Sequence, residues 1–211
     1  MGTAECRTWL VVAAERREFD GILRRFGKWK KLSWPAEFAG EAEFNGDRWL
    51  LIANGPGRER VEGALREKRM EVDGIISTGF CGALDPSLEV GAIVREVISI
   101  DRVAATAAEK RELRARTGAA AVDMESATLA AKAAEWGVPF YAIRAVSDRA
   151  EEDMPLDFNL YRDMAGRFSR SRIAMAAMAR PFTNVPALIR LDRNCRLAAQ
   201  SLGDYFAHCR L

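Results

Sequence analysis

The chain has 211 residues, of which 49% are hydrophobic, and its 32 basic and 30 acidic side chains leave a formal net charge of +2. This size suits a single domain, residues 1–211, and the near balance of charge excludes a strongly basic nucleic-acid-binding protein. No apolar run could span a bilayer or act as a signal peptide. Four widely spaced cysteines without a Cys-x-x-Cys motif argue against a zinc site or a disulfide framework. We therefore expect a cytoplasmic protein.

Strands and helices alternate in the first half of the chain. The hydrophobic periodicity predicts, in order, a strand at Trp9–Ala14, a helix at Glu18–Phe26, strands at Glu37–Phe44 and Arg48–Ala53, a helix at Arg58–Met70 and a strand at Gly74–Thr78. Asn45-Gly46 lies between the second and third strands and suits the type I′ turn of a β-hairpin. Two glycine segments follow strands, Asn54–Gly57 and Thr78–Gly82. Each is interpreted either as a simple corner or as a turn at which backbone N–H groups approach a ligand.

The second half continues the alternation. The pattern predicts a strand at Ala92–Ile100, a helix at Ala107–Thr117, a short strand leading into Asp123 and Glu125, a helix at Ala127–Trp136, a strand at Phe140–Val146, and helices at Asn159–Ala179 and from Ala187 to about Cys209. Thr106 and Glu109 form a capping-box sequence that marks the start of the first of these helices. The alternation predicts an α/β fold with three α/β/α layers and a mixed, mostly parallel central sheet.

Two carboxylates follow predicted strands in the middle of the chain. Glu125 and Asp148 are the best candidates for a reaction centre, because ligands of open α/β sheets bind beyond the carboxyl ends of strands. Each has a structural alternative. Glu125 could be a carboxylate favoured by a helix N-terminus, and Asp148 a helix cap or the ion-pair partner of Arg144 or Arg149. Because the chain offers little other catalytic machinery, we favour a functional role for the pair.

The scarcity of histidine restricts the chemistry. The one histidine, His208, lies three residues from the end, which argues against Ser-His-Asp and Cys-His catalysis and against histidine metal sites. Acid–base chemistry then falls to aspartate and glutamate, or to lysine and tyrosine, and we expect no metal. Cys81 has no base nearby in sequence and is interpreted as a small residue in a tight turn. Neither glycine segment matches a dinucleotide fingerprint or a P-loop.

Four groups of short motifs follow one another between Trp9 and Glu152. They are Gly55-Pro-Gly57; Thr78-Gly-Phe-Cys-Gly82 with Val90-Gly-Ala-Ile-Val94; Val122-Asp-Met-Glu125; and Val138-Pro-Phe140 with Arg144-Ala-Val-Ser-Asp148. In this order they resemble the nucleoside phosphorylase/nucleosidase superfamily, which has the purine nucleoside phosphorylase-like fold. Members of that family carry Thr-Gly-x-x-Gly, Val-Glu-Met-Glu and Arg-x-Ile-Ser-Asp at these places.

The resemblance implies a role for each matching residue. Asp148 would protonate N7 of the purine base, and Glu125 would accept hydrogen bonds from the ribose hydroxyls. A glutamate of the first strand-to-helix turn would activate water; Glu15 and Glu18 both lie there, and Glu18 is preferred because Phe19 matches the apolar position that follows it. The residues implied to contact substrate are Val122, Asp123, Met124, Glu125, Ser147, Phe80, Cys81 and Val103. Those implied to border the phosphate or water nucleophile are Gly55, Gly57, Arg58, Thr78, Gly79 and Gly82.

The chain departs from the family pattern at three places. Asp101–Ala105 leaves no room for a strand–helix–strand insertion of roughly 30 residues that gives relatives an aromatic wall, so we expect a base pocket that is shallower, more open, or completed by another subunit or a bulky substrate. Ser77 and Phe80 stand where phosphorolytic members commonly carry Arg and Ser, which favours water over phosphate. Asp123 replaces a glutamate and reaches less far.

The shortened middle segment is most similar to a small bacterial branch of the superfamily that is associated with hopanoid biosynthesis, in which an adenosyl-hopane loses adenine. The C-terminal region fits such a substrate, since Met175, Met178 and Phe182 lie among arginines, a composition suited to an anionic membrane surface. A helix packed in the core or in a dimer is the alternative interpretation, and the more frequent one.

The sequence therefore predicts an enzyme that cleaves the N-glycosidic bond of a purine (adenine) nucleoside or nucleoside conjugate. Water or inorganic phosphate is the acceptor, and no cofactor is implied. The expected partners are a small-molecule nucleoside or an adenosyl-lipid, the latter at a membrane surface, and further copies of the chain in a homo-oligomer. The rival hypothesis is a degenerate relative that binds an adenine nucleoside as a sensor or scaffold without cleaving it.

Overall fold

The computed structural model describes residues 6–66, 71–163 and 167–209. Its strands are β1 (Thr8–Ala13), β2 (Trp29–Lys31), β3 (Phe38–Phe44), β4 (Asp47–Ala53), β5 (Gly74–Ala83), β6 (Ile93–Val94), β7 (Ile98–Ser99), β8 (Ala121–Asp123) and β9 (Phe140–Asp148). Its α-helices are α1 (Asp20–Phe26), α2 (Arg58–Leu65), α3 (Ala107–Thr117), α4 (Ser126–Trp136), α5 (Arg170–Met178) and α6 (Pro181–His208). Two 3-10 helices lie at Arg16–Phe19 and Phe158–Tyr161.

The strands form one mixed sheet in the order β2-β3-β4-β1-β5-β8-β7, with β9 on the other edge of β5 and β6 beside β9. The central strands β4, β1, β5 and β9 are parallel. On one side β2, β3 and β4 form antiparallel pairs, and on the other β8 runs antiparallel to the end of β5. The predicted mixed α/β sheet is confirmed.

Helices cover both faces of the sheet because the buried strands carry apolar side chains on both faces. Alternate residues of β1 point to opposite sides, as strand geometry requires. The cluster that joins one face to α1 and α6 includes Trp9, Val11, Ile22 and Leu202. The cluster that joins the other face to α2 and α4 includes Leu10, Val12, Val61 and Leu129. These two clusters establish the predicted three-layer arrangement.

Helix α6 is held to α1 by direct backbone contact. A Cβ atom added at Gly21 would lie 1.8 Å from the Ala199 carbonyl oxygen, and one added at Gly203 would lie 2.4 Å from the Gly21 backbone. The N-terminal half of α6 is much more open, since Phe182 is 96% exposed and Ile189 65% exposed. In the described ranges, no helix has both the length and the apolar character that a membrane crossing requires.

Two local sequence signals are confirmed. Asn45 and Gly46 have φ angles of 54° and 84° and join β3 to β4, as a type I′ hairpin turn requires. The Thr106 side chain accepts the Glu109 N–H and begins α3, while the Glu109 carboxylate accepts the N–H of Ala105 at 2.9 Å. In the ideal capping box this carboxylate would accept the N–H of the N-cap residue, Thr106, and here it accepts the N–H of the residue before it.

The Thr78–Gly82 segment is not a turn, contrary to prediction. Strand β5 runs straight through it and pairs with β9 as far as Gly82, with an irregularity after Cys81. The predicted strand at Ala92–Ile100 is two short strands, β6 and β7. The predicted helix at Arg58–Met70 is helical to Leu65, and its residues 67–70 lie outside the described part of the chain.

The predicted helix at Asn159–Ala179 is correct for α5 but wrong before Arg170. A 3-10 helix ends at Tyr161, Arg162 pairs with Phe168 in an isolated antiparallel bridge, and α5 begins only at Arg170. The Asp163 side chain accepts the backbone N–H of Arg167, a donor that in a helix would bond to the Asp163 carbonyl oxygen. Residues 164–166 lie outside the described ranges.

Candidate active site

A cavity of about 630 Å³, termed the central cavity, lies at the carboxyl ends of β1, β5 and β9. Glu18, Glu125 and Asp148 all line it. Gly82 of β5 pairs with the end of β9 on one edge and with β8 on the other. Asp148 and Glu125 therefore lie on opposite sides of β5. The expectation that these two carboxylates share one site agrees with this placement.

The central cavity includes a gap in the pairing of β5. One edge of β5 pairs with β1 through Ser77 and with β8 from Gly82 onward. Between these points, residues 78–81 have no strand beside them on that edge in the described part of the chain, although β9 pairs along the other edge. Glu18 Oε1 enters the gap and accepts the N–H of Phe80 at 2.8 Å. A carboxylate therefore takes the position that a neighbouring strand would otherwise fill.

Glu18 is held in this gap by the 3-10 helix that follows β1. Its Oε2 atom accepts the N–H of Glu15 at 2.8 Å, and the residue is only 4% exposed. Burial raises the pKa of Glu18 to about 7, although the nearby Arg144 guanidinium and the Phe80 N–H oppose that rise. A carboxylate that gains and loses its proton near neutral pH is suited to general-base work. Glu15 instead pairs with Arg17 at 2.7 Å and is more open to solvent.

The Glu18 carboxylate lies where a side chain of residue 79 would be. Gly79 has φ +119°, and an added Cβ atom would lie 2.6 Å from Glu18 Oε1. Glycine is required here for two independent reasons: the backbone conformation and the space that the carboxylate occupies.

Arg144 of β9 is the fully buried centre of a charged cluster. Its Nη2 atom lies 2.6 Å from Asp123 Oδ2 and 3.3 Å from Glu125 Oε2, and donates to the Ser77 hydroxyl oxygen at 2.7 Å. Burial alone would lower the pKa of Arg144, but the two carboxylates raise it above its usual value. Arg144 therefore does not pair with Asp148, which removes one structural alternative for that residue.

Glu125 is the residue before α4, but its side chain does not cap the helix. Its Oε1 atom accepts the N–H of Gly57 at 2.8 Å, and burial raises the pKa of the carboxyl group against the opposing effect of Arg144. The Asp123 side chain is wholly enclosed, with Oδ1 accepting the Ser99 hydroxyl at 2.5 Å. The shorter Asp123 carboxylate thus binds protein groups, and Glu125 is the carboxylate of this pair that is slightly exposed in the central cavity.

Asp148 has a partner that the sequence did not suggest. Its Oδ2 atom lies 2.5 Å from Nζ of Lys110 on α3, and its Oδ1 atom accepts the Ser147 hydroxyl at 2.8 Å. The resemblance implies that Asp148 acts as an acid, and the structure pairs its carboxyl group with an ammonium. Lys110 is fully buried, in a helix whose composition gave no sign of an inward-facing lysine.

The other residues implied by the resemblance divide into those in or beside the central cavity and those that lie away from it. Those that line the central cavity are Val122, Asp123, Met124, Ser147, Phe80, Cys81, Gly82 and Val103. Gly55 lines a smaller adjoining pocket, and Gly57 holds Glu125 as described above. Thr78 and Arg58 lie elsewhere: the buried Thr78 hydroxyl donates to the Ile143 carbonyl oxygen, and exposed Arg58 pairs with Glu62 at 2.7 Å. Burial raises the pKa of Cys81, which agrees with an inert thiol.

An apolar wall of the central cavity comes from the C-terminal third of the chain. Its residues are Met154, Phe158, Phe168, Ile173, Leu188 and Leu191. The erroneous long helix at Asn159–Ala179 concealed this wall, because it placed Phe168 within a regular helix. Phe80 and Arg102 also line the central cavity but leave it open, with Arg102 paired to Glu109.

Among residues 6–66, 71–163 and 167–209, no three histidine, cysteine, aspartate or glutamate side chains are grouped to hold a metal ion.

Comparison of the sequence with known proteins finds matches to part of the chain. Residues 96–179 match the sequence model of the phosphorylase superfamily. A segment of 50 residues is 46% identical to the 5'-methylthioadenosine/S-adenosylhomocysteine nucleosidase of Shewanella halifaxensis, covering 24% of this chain and 22% of that protein. The match thus spans only about a fifth of the length of such curated relatives.

Comparison of the structure finds matches over the whole chain. The 5'-methylthioadenosine/S-adenosylhomocysteine nucleosidase of Neisseria meningitidis, in complex with methylthio-immucillin-A, has a TM-score of 0.70 at 21% identity, over 95% of this chain and 97% of that one. The S-adenosylhomocysteine nucleosidase of Streptococcus pyogenes, in complex with 5-methylthiotubericidin, has a TM-score of 0.69 at 16% identity, over 100% of both chains. At these identities the likeness establishes the fold.

Proposed function

Because the chain belongs to the nucleoside phosphorylase/nucleosidase superfamily, we propose that it hydrolyses the N-glycosidic bond of an adenine nucleoside or of a conjugate that carries one. The observation that carries the proposal is the position of Glu18, a buried carboxylate with a pKa of about 7, in a cavity that Glu125 and Asp148 also line. Cleavage of an N-glycosidic bond builds positive charge on the sugar, which carboxylates stabilise, and requires a base for the nucleophile and an acid for the leaving group.

The position of Glu18 also supports water over phosphate as the acceptor. The Phe80 N–H lies in the gap in the pairing of β5, so it is the donor that a bound anion would use. The Glu18 carboxylate already accepts this N–H. A phosphate beside that carboxylate would meet like-charge repulsion. Arg58 lies outside the central cavity, and Arg144 is engaged by Asp123 and Glu125, so neither is available to offset that repulsion.

In the proposed reaction, Glu18 takes a proton from water while the water oxygen attacks C1′ of the ribose. Glu125 accepts hydrogen bonds from the ribose hydroxyls, in an orientation set by the Gly57 N–H and by Arg144. The bond between C1′ and the purine breaks, its electron pair goes to the base, and Asp148 delivers a proton to N7. Met124 packs against the sugar.

The apolar wall supports a substrate with a large apolar group at the 5′ side, of which the adenosyl-hopane named above is one example. Ile173 of α5 and Leu188 of α6 belong to that wall. Met175 of α5 and Phe182 of α6 are exposed. This combination of an apolar lining and an exposed apolar surface beside arginines supports a lipid conjugate that is reached at an anionic membrane surface. The homo-oligomer stays a prediction.

The test is adenine release from adenosine, methylthioadenosine, adenosylhomocysteine and an adenosyl-lipid, each with and without phosphate. We expect phosphate-independent release that falls by a factor of about 100 or more in Glu18→Gln and in Asp148→Asn. Glu135→Gln, on the exposed face of α4, is the control and should retain full activity.

The outcomes separate the hypotheses. Release that requires phosphate would overturn hydrolysis, and release from the lipid conjugate alone would support the adenosyl-lipid. Tight binding of an adenine nucleoside without release from any of the four compounds would favour the sensor or scaffold.

A further inference from the structure

Lys110 is a buried cation whose three N–H bonds all have acceptors. Its ammonium lies 2.5 Å from Asp148 Oδ2 and donates to the carbonyl oxygens of Arg149 and Glu152 at 2.7 and 3.0 Å. The side chain has no exposed surface, so it does not reach the central cavity itself. Burying an ammonium is costly, and packing alone would be served by an apolar residue.

The position of Lys110 relative to the site is specific. It approaches Asp148 from α3, and the same ammonium holds the turn after β9. That turn is tied to the start of α3 a second time, because Asp153 accepts the N–H of Ala107 and the N–H of Met154 donates to the Ala105 carbonyl oxygen. Met154 lines the central cavity, so Lys110 lies directly behind both the carboxylate and one wall of the site.

We propose that Lys110 supplies, through Asp148, the proton that the purine base carries away. The inference rests on the proposed hydrolysis and adds a proton source to it. It resolves the conflict between an ion-paired Asp148 and its role as an acid: the pair holds one transferable proton even while Asp148 itself is ionised.

The proton movements balance. As the bond from C1′ to the purine breaks, its electron pair goes to the base. One proton passes from Lys110 Nζ to the Asp148 carboxylate and from there to N7, which leaves Lys110 a neutral amine and Asp148 again a carboxylate. The water oxygen bonds to C1′ and loses a proton to Glu18. After the products leave, Glu18 gives its proton to solvent, and Asp148, which lines the central cavity, takes a proton from solvent and passes it to Lys110.

Few other titratable groups can supply this proton. Ser147 donates its hydroxyl hydrogen to Asp148 Oδ1 and remains neutral. Cys81 and Cys195, which face Asp148 from β5 and α6, are held as neutral thiols because burial raises the pKa of each. Four charged side chains near the pair are already in ion pairs or hydrogen bonds: Arg102 with Glu109, Arg149 with Glu89, Glu152 with the Arg149 N–H, and Asp153 with the Ala107 N–H.

The test uses two substrates and two substitutions in the full chain. Lys110→Met removes the proton source, and Lys110→Arg keeps a positive charge that does not release a proton. On an adenine nucleoside that the wild type cleaves, we expect both to lower kcat by about 100-fold or more. On 4-nitrophenyl riboside, whose leaving group departs without protonation, both should stay within about threefold of the wild type, which also shows that they fold. Lys132→Met, on α4, is the control.

A double substitution gives a second readout. In an Asp148→Asn background, Lys110→Met should add no further loss.

Three results would overturn the inference while leaving the hydrolase intact: equal loss on both substrates, full rescue by Lys110→Arg, or a further loss from Lys110→Met in the Asp148→Asn background. A wild-type protein that cleaves neither substrate would overturn the proposed function, and this inference with it.

Discussion

The Glu18→Gln substitution tests the electrostatics of the site without reference to any substrate. The pKa of Glu18 rises from an ordinary 4.5 to about 7 because the carboxyl group is buried. At about 1.4 kcal/mol per pKa unit, the shift corresponds to about 3 kcal/mol. The folded protein binds this proton more tightly than the unfolded chain does, so the contribution to stability is greatest below pH 4.5. It is lost as the pH rises to about 7 and stays lost above that.

A glutamine at position 18 carries no charge at any pH. Its amide oxygen keeps one of the two N–H groups that Glu18 accepts, from Phe80 and Glu15, and the loss of the other is a cost that does not depend on pH. The free-energy difference between variant and wild type should therefore shift by about 3 kcal/mol in favour of the variant between pH 4 and pH 8.

The assay is urea unfolding of both proteins at intervals from pH 4 to 8, with Glu135→Gln as a control that should follow the wild type. In parallel, kcat/KM of the wild type should fall about tenfold per pH unit below pH 7 as Glu18 takes up its proton. A stability difference that is constant across this range would refute the argument, since it would mean that Glu18 ionises alike in the folded and unfolded chain.

Three further substitutions test other parts of the site. Gly79→Ala forces the backbone and pushes the Glu18 carboxylate from its place, so kcat should fall by about 100-fold. Arg144→Met leaves the buried Asp123 and Glu125 carboxylates without their cation and should lower the free energy of unfolding in urea by about 3–5 kcal/mol. An unchanged free energy of unfolding would mean that the two carboxylates are not charged in the folded protein. Thr106→Ala removes the α3 cap and should cost about 1 kcal/mol by the same measurement, with adenine release per folded molecule unchanged.

Features of the fold that depend on neighbouring residues could be predicted from the sequence. The Asn45-Gly46 hairpin and the Thr106 cap each follow from the conformational preference or hydrogen-bonding capacity of one or two residues. The strand ending at Asp148 was similarly visible, because a buried parallel strand is a continuous apolar run. Such signals need no knowledge of what lies across the fold.

The features that could not be predicted depend on distant partners. Gly79 was interpreted as part of a turn, yet it lies within a strand and is glycine because a carboxylate 61 positions earlier fills the space beside it. Lys110 belongs to a helix with mostly polar side chains, in which a lysine that faces inward looks the same as one that faces water. Periodicity reports the average face of a helix, and a single buried ion pair does not change that average.

The division of labour in the central cavity follows the chain. The carboxylates proposed to do the chemistry come from the turn after β1 and from the ends of β8 and β9, where the backbone is fixed by the sheet. The apolar wall comes instead from Met154, Phe158 and Phe168, from α5, and from the N-terminal half of α6, where most side chains are exposed or half-buried. Because the bond to be broken is the same whatever the substrate carries at its 5′ side, changes in the wall can alter which conjugate is accepted without moving Glu18, Glu125 or Asp148.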